Sequence, residues 1–409
     1  MSTPAILILS TADWDRPLWT NKQHLAKALA RHVPKLWYVN SMGLRRPSLQ
    51  PADLKRIGNR LRALAVPGRQ LGIPVPPEIS VITPKVIPVH RLTWPTARLN
   101  RRLLERGVAE WLARPSEERV LWTFSPVTYG LHEQAARTVY HCVDLLEEVP
   151  GYDRVAIRQG EAALAAAGVA AVASSRVVRE HLVDVGFRDP LLWENVADAD
   201  LISRLASQET ARTNHVVFAG NLTPLKVDFP LLLSLADEHP ELTLELAGPA
   251  AEGGGDASAV DQVRNHPRIR LHGALTPQDM ARLLGQCTVG IVPYVDNRYT
   301  SGVFPMKIYE YLAAGLAVVS TNLPSLAAVG EIKIAADRGS FIRAVAELAG
   351  STPSEAQVRS RQRVAAANSW AVRGRQALDL VWPSPTGGHS EPSLTSTPST
   401  AGRGHRLAR

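Results

Sequence analysis

The chain has 409 residues, 45% of them apolar, which is enough to build two ordinary globular domains and excludes a disordered, collagenous or peptide-scaffold protein. Lys and Arg number 46 against 38 Asp and Glu, and the resulting charge of +8 invites anionic partners without choosing among them. Two cysteines, Cys142 and Cys287, fall in different halves with no metal-type spacing, which fits a reducing compartment.

The first apolar run, Ile6 to Leu9, follows no basic stretch and is too short for a secretion signal; it reads as a strand from Ala5 to Ser10. A polar, Trp-containing loop leads into Asn21 to Arg31, where Leu25, Ala28 and Leu29 recur at helical spacing, and Leu36 to Val39 is the next strand. Strand, helix, strand in this order implies a parallel sheet with right-handed crossovers. Strands at 79–82, 120–122, 138–143 and 169–174 alternate with helical patterns at 99–112 and 157–167, giving one doubly wound α/β domain over 1–195. A second series then begins, with strands at 216–219, 243–247, 269–271, 289–292 and 316–320 and helices at 229–238, 277–284 and 304–314, a second Rossmann-like domain over 196–353. Residues 354–382 continue as a helical stretch, and 383–409, rich in Pro, Ser, Thr and Gly, reads as a disordered tail. The longest apolar stretch, Ala163 to Ala173, is about half of the roughly 20 residues that span a bilayer. The expected location is the cytoplasm.

Ligands of open α/β sheets bind beyond the carboxyl ends of the strands, so two such domains face to face define one cleft where function is expected. The charge is uneven. Residues 41–120 hold fifteen basic against six acidic residues and intersperse them with Leu92, Trp94, Leu99, Leu103 and Leu104. Such a stretch suits an anionic membrane surface, which would make the protein peripheral on the inner membrane; a solvated, arginine-rich face is the alternative. Nucleic acid is not an expected partner, because no helix-turn-helix, zinc finger or RNA-binding aromatic motif accompanies the charge.

The most informative stretch runs from Asn297 to Ser320. Pro305 suits the first turn of a helix and Gly315 its end, and the helix between them leads into a buried strand. Backbone amides near Ser301, Gly302, Val303 and Phe304 would attract a diphosphate, Lys307 would neutralise phosphate, and Glu310, on the same helical face, can accept hydrogen bonds from both hydroxyls of a ribose. An exposed helical ion pair is the alternative for Lys307 and Glu310.

Pro305-x-Lys307-x-Tyr309-Glu310-Tyr311-Leu-Ala-Ala-Gly315 followed by an apolar strand resembles the nucleotide-sugar signature of two-domain (GT-B) glycosyltransferases of the GT4-like, or group 1, family. Other stretches resemble the family in the same order: Phe218-Ala-Gly220-Asn221-Leu222 with Lys226 downstream, Leu246-Ala-Gly248-Pro249, Leu271-His-Gly273, the strand Val289 to Tyr294, Tyr140-x-x-x-Asp144, the turn Asn195 to Asp198, and Asn368-Ser369-Trp370. The resemblance implies a sugar transferred from a nucleotide-diphosphate donor to an acceptor hydroxyl, with retention of anomeric configuration, without a metal and with no cofactor beyond the donor. It places the donor on the second domain against Gly220, Asn221, Lys226, Gly302, Val303, Phe304, Lys307 and Glu310. Lys226 and Glu310, with Asp144 on the first domain orienting the acceptor hydroxyl, would carry the catalysis. The loop Asp13, Trp14, Asp15, Arg16 and Trp19 would serve the acceptor, a glycan or a lipid-linked sugar of envelope polysaccharide or glycolipid synthesis, unless its tryptophans merely pack the first helix. The resemblance also implies that residues 354–382 cross back to the first domain.

Departures from the family pattern are Gly302, where many members carry a second glutamate, Asn221, where an arginine is usual, and Ala197-Asp198 in the interdomain turn. They leave the sugar open and keep two other readings alive, a non-catalytic nucleotide-sugar-binding scaffold and a sugar-nucleotide epimerase. Asp13-x-Asp15 and Asp198-x-Asp200 are too short to imply a metal, and Gly253-Gly-Gly255 lacks the Lys-Ser/Thr of a phosphate loop. His24 and His132 are further cleft candidates, although a lone histidine is more often structural.

Overall fold

A computed structural model describes residues 3–16, 19–44, 74–92, 95–209, 212–249 and 257–383. Two parallel sheets organise them. The first has seven strands, β1 (Ala5–Leu9), β2 (Leu36–Val39), β3 (Ile79–Ile82), β4 (Arg119–Thr123), β5 (Arg137–Cys142), β6 (Ala170–Ala173) and β7 (Leu191–Leu192), in the order β3-β2-β1-β4-β5-β6-β7. Its helices are α1 (Asn21–Ala30), α2 (Thr96–Gly107), α3 (Ala109–Leu112), α4 (Arg154–Ala166) and α5 (Arg176–Val185). The second sheet runs β10-β9-β8-β11-β12-β13, built from β8 (His215–Ala219), β9 (Thr243–Ala247), β10 (Ile269–Gly273), β11 (Val289–Val292), β12 (Ala317–Ser320) and β13 (Lys333–Ile334). Around it lie α6 (Ala199–Ala206), α7 (Phe229–Glu238), α8 (Ala257–Asn265), α9 (Pro277–Gln286), α10 (Arg298–Ser301), α11 (Lys307–Ala313), α12 (Arg338–Ala349) and α13 (Glu355–Ala367). The last helix, α14 (Trp370–Val381), completes the chain order.

Strands buried on both faces must be apolar throughout, and β1, Ala-Ile-Leu-Ile-Leu, is buried at every residue. Ile6 and Ile8 pack with Tyr38, Val120, Trp122 and helices α1 and α14, whereas Ala5, Leu7 and Leu9 pack with Trp37, Leu121, Leu104 and Trp111 on the other face. The second domain has one continuous core around its sheet.

The stretch after Ser354 divides. Helix α13 stays with the second domain against α11 and α6, and only α14 reaches the first, on α1. The break falls where Asn368 ends α13 and Ser369 caps α14, its hydroxyl accepting from Val372 N, and where Ala197 and Ser369 form a β-bridge. Gly374 permits the close crossing, since a Cβ there would lie 2.8 Å from Ala28 Cβ. The expectation that all of 354–382 crosses back is corrected accordingly. The tail from residue 384, and residues 45–73 and 93–94 of the basic segment, lie outside the described residues.

Candidate functional site

Both sheets reverse strand order beside a central pair, β1/β4 in the first and β8/β11 in the second, and the loops after these strands form the facing cleft walls. After β8 the backbone turns at Gly220 (φ +153°), and after β9 at Gly248 (φ +144°). A Cβ on Gly248 would lie 1.9 Å from the Gly220 carbonyl oxygen, and one on Gly220 would lie 3.0 Å from Lys307 Nζ. Only glycine lets these turns pack on each other and on the lysine.

Lys307 Nζ donates to the Tyr294 hydroxyl at 3.0 Å and lies 5.5 Å from the ring centres of Phe218 and Tyr294. Lys226 is held by its backbone: its N–H donates to Thr223 O at 2.9 Å, and its carbonyl accepts from Val295 N at 2.9 Å. Its ammonium lies 5.2 Å from the centre of the Tyr299 ring. Burial pulls the Lys226 ammonium down, but Tyr299, Tyr294 and Asp144 outweigh it and raise its pKa, so the side chain stays cationic. Burial would raise the Tyr294 phenol, and Lys307 and Lys226 beside it reverse the shift and lower it. Burial, with Asp144 adding to it, pushes the Tyr299 phenol up to about 12.

Asp144 comes from the first domain, two residues beyond β5, and its charge acts on Lys226, Tyr294 and Tyr299 of the second. The expected pair Asp144 and Lys226 therefore lies on the two walls of the cleft, within electrostatic reach. Lys22, which sequence reasoning missed, is within the same reach: it lies in the first turn of α1, is 7% exposed, and packs 5.6 Å from the centre of Phe124. A single lysine in an amphipathic helix carries no sequence signal; only the position of the helix after β1 could have drawn attention to it.

The Asn297 to Lys307 segment differs from the expected helix start. Asn297 and Thr300 cap each other around the short α10, and α11 begins only at Lys307. The amides of Ser301, Gly302 and Val303 are already bonded to Asn297 O, Tyr299 O and Thr300 O, at 3.0, 3.2 and 3.0 Å. Contrary to the sequence reading, those three donors are therefore not offered to a ligand; the Phe304 amide makes no such bond among the described residues. The carbonyls of Gly302, Val303 and Phe304 accept from Ser175 Oγ at 2.8 Å, Ser325 Oγ at 2.7 Å and Asn195 Nδ2 at 2.6 Å. Ser175 and Asn195 belong to the first domain's end of the chain, and Asn21 Nδ2 in turn donates to Asn195 Oδ1 at 2.7 Å. Gly302 faces Leu145, whose Cδ1 would be 3.1 Å from a Cβ there, so the missing side chain makes room for an interdomain apolar contact.

Glu310 lies one turn beyond Lys307, on the same face, and is half-buried. Burial raises its carboxyl pKa, with Asp198 adding to the shift and Lys307 opposing it. Asn221 follows Gly220, with its carbonyl accepting from Thr223 N at 3.1 Å.

The acceptor-side loop is corrected in part. Trp14 is buried, edge-on to Trp19 and Tyr38 at 5.1 Å each, and Trp19 packs on His24 at 5.4 Å with Lys27 above its ring. These indoles fill the space between β2 and α1, which leaves Trp14 no face for a sugar. Asp13 accepts from Ser41 N at 3.1 Å. Asp15 and Arg16 remain at the surface, half-exposed and exposed respectively. His24 stacks on Trp370 at 5.4 Å, and burial pushes its pKa down to about 3, a structural role. His132 bonds Thr128 Oγ1 at 2.6 Å. Among the described residues no cluster of His, Cys, Asp and Glu could hold a metal ion. A cavity of about 310 Å³ lies on the hinge side, lined by His24, Lys27, Arg31, Asp198, Arg204 and Trp370 among others; none of Lys22, Asp144, Lys226 and Lys307 lines it.

Residues 213–351 match the family model described as Glycosyl transferases group 1. A putative teichuronic acid biosynthesis glycosyltransferase of Bacillus subtilis, TuaH, is 31% identical over 166 residues, 39% of this chain; the match spans 41% of that relative's length. Among solved structures, sucrose-phosphate synthase from Thermosynechococcus elongatus is similar at a TM-score of 0.66 and 16% identity, over 93% of this chain and 98% of that one. Anabaena HepE, in complex with UDP and glucose, is similar at 0.63 and 15%, over 92% and 99%. At such identities these likenesses show the fold. The chain thus has the two-domain GT-B fold, and residues 213–351 of its second domain match the glycosyl transferases group 1 model.

Proposed function

We propose that this protein transfers a sugar from a nucleoside-diphosphate donor to an acceptor hydroxyl, retaining the anomeric configuration and using no metal. The observation that carries this reading is the convergence of Asp144 with Lys226, Tyr294 and Tyr299 across the cleft, with Lys307 bonded to the same Tyr294. Charge grows on the donor diphosphate as the glycosidic bond breaks, and two fixed cations in a site that excludes water stabilise it there. Lys226 and Lys307 are those cations. Glu310 accepts from the ribose hydroxyls, and Asp144 orients the incoming acceptor hydroxyl. Retention and metal independence are taken from the family resemblance.

The acceptor is a glycan or lipid-linked sugar of the cell envelope; the named role of TuaH in teichuronic acid biosynthesis supports this class. A site at the inner membrane surface fits the described part of the basic segment. On α2, Arg98, Arg102 and Arg106 form an exposed stripe, flanked by Leu99 at 46% exposure, with Ile87 nearby in sequence at 36%. No described helix is long and apolar enough to cross a membrane, so the contact would be peripheral.

The test is donor turnover. Purified protein incubated with UDP-, GDP- and ADP-sugars and an envelope glycan fraction should release nucleoside diphosphate from one of them and give a product heavier by one sugar in mass spectrometry. Lys226→Ala and Glu310→Ala should each lower the rate by about a hundredfold or more. Binding of a nucleotide sugar without turnover would favour the scaffold reading, and a change of sugar without transfer would favour an epimerase.

A further inference from the structure

Within the proposed transferase cleft, one cation is left over once the donor is provided for. Each phosphate of a nucleotide sugar carries one negative charge, and Lys226 and Lys307 answer both from the second domain. Lys22 stands on the opposite wall. It is 7% exposed, in the first turn of a helix whose positive dipole end disfavours a cation. Its three N–H donors meet no hydrogen-bond acceptor or ion-pair partner among the described residues; the centre of the Phe124 ring lies 5.6 Å from the nitrogen. The groups whose charge reaches it are Asp144, Lys226, the Cys142 thiol and Arg16. Asp144, the carboxylate of that set, lies too far away for a direct ion pair. The side chain is mostly buried, and although its ammonium is not wholly shut off from water, that burial disfavours the charge and lowers its pKa. An anion between Lys22 and the acceptor hydroxyl held by Asp144 removes that cost. Arg16, exposed at the rim, adds a second positive charge on the same side.

We propose that Lys22 is a specificity-determining residue that binds an anionic group of the acceptor, a phosphate or a carboxylate close to the hydroxyl that Asp144 orients. This rests on the transferase reading for its placement of the acceptor on the first domain.

Equilibrium binding to the full chain, by calorimetry, tests it. Three probes share one ring and differ in charge: glucose, glucose 6-phosphate and glucuronate, each measured alone and with saturating UDP, GDP or ADP. The two anionic probes separate phosphate from carboxylate. The wild type should bind at least one of them about tenfold or more tighter than glucose, the worth of one charge-assisted hydrogen bond. Lys22→Gln should reduce that preference to about twofold or less, Lys22→Arg should keep most of it, and nucleotide affinity should stay within about threefold in both. Lys22→Met, which preserves packing on Phe124, stands in if the Gln variant does not fold. Absence of any anion preference in the wild type, persistence of the preference in Lys22→Gln, or loss of nucleotide affinity in its place would overturn the proposal. If no nucleotide binds the wild type yet the preference depends on Lys22, the anion site stands and the donor reading fails.

Discussion

At the scale of single residues, the proposed donor site holds a carboxyl at a cost in stability. Glu310 is half-buried with its pKa raised by burial, Lys307 only partly opposing the shift. A carboxyl whose pKa rises on folding makes ionisation unfavourable in the native state, and the penalty is absent below the ordinary glutamate range near about 4.3 and complete above the raised value. Glu310→Gln should therefore raise the melting temperature of the ligand-free protein at pH 8 by a few degrees, order of magnitude, and by almost nothing near pH 4. The same variant should lose nucleotide affinity. Thermal melts at the two pH values, with and without nucleotide, check both halves; a variant that is less stable at pH 8 would contradict the assignment of Glu310 as a group held at a cost. The residue types of the proposed donor site were legible in sequence because Lys307 and Glu310 recur three apart between Pro305 and Gly315. Lys22, Tyr294 and Tyr299 were not, since their meaning comes from which strand ends face one another.

At the scale of elements, the glycine turns after β8 and β9 work as one unit. The Gly248 backbone leans on the Gly220 carbonyl, and the Gly220 backbone leans on Lys307. Gly248→Ala would force a Cβ into a backbone oxygen at a positive φ and should cost about 2 to 4 kcal/mol of stability in urea unfolding, with donor affinity falling as the turn shifts Lys307. Gly339→Ala, at an open helical position where the nearest neighbour is the end of the Arg343 side chain, serves as the mild control. Core strands were readable because parallel strands covered on both faces are apolar throughout; β1, β2, β8 and β11 fall where the apolar runs do. Helices with weak patterns or tertiary causes were not. The 304–314 pattern begins late, as α11 at Lys307, behind a separate short α10 that Asn297 and Thr300 cap, and 354–382 divides because Asn368 and Ser369 stop one helix and cap the next. The Trp14 loop shows the same limit: sequence placed it at the cleft, but Tyr38 and Trp19 draw the indole into the core.

At the scale of the whole molecule, the two domains are tied by Ser175 to Gly302 O, Asn195 to Phe304 O, the Tyr309 hydroxyl to Glu194 at 3.0 Å, and Arg298 to Glu148 at 2.9 Å. These contacts draw the donor wall and the Asp144 wall together, and α14 returns across the hinge to pack on α1. The basic face of α2 lies on the first domain, away from the donor wall in sequence and in sheet. Vesicles carrying about 30% anionic lipid should retain the protein at low salt and release it as salt screens the contact, and Arg98→Gln with Arg102→Gln and Arg106→Gln should weaken retention severalfold while leaving nucleotide binding unchanged. Retention that is the same on neutral vesicles would contradict a charge-driven contact. The central claim is that the second domain's wall of the cleft holds a nucleoside diphosphate, and the most direct measurement is calorimetric titration of the wild type, Lys226→Ala and Glu310→Gln with UDP, GDP and ADP and their sugars. The account predicts that one nucleotide series binds the wild type with a single site and that each substitution weakens it by about tenfold or more. Equal affinity in all three proteins, or no binding of any nucleotide to the wild type, would contradict it.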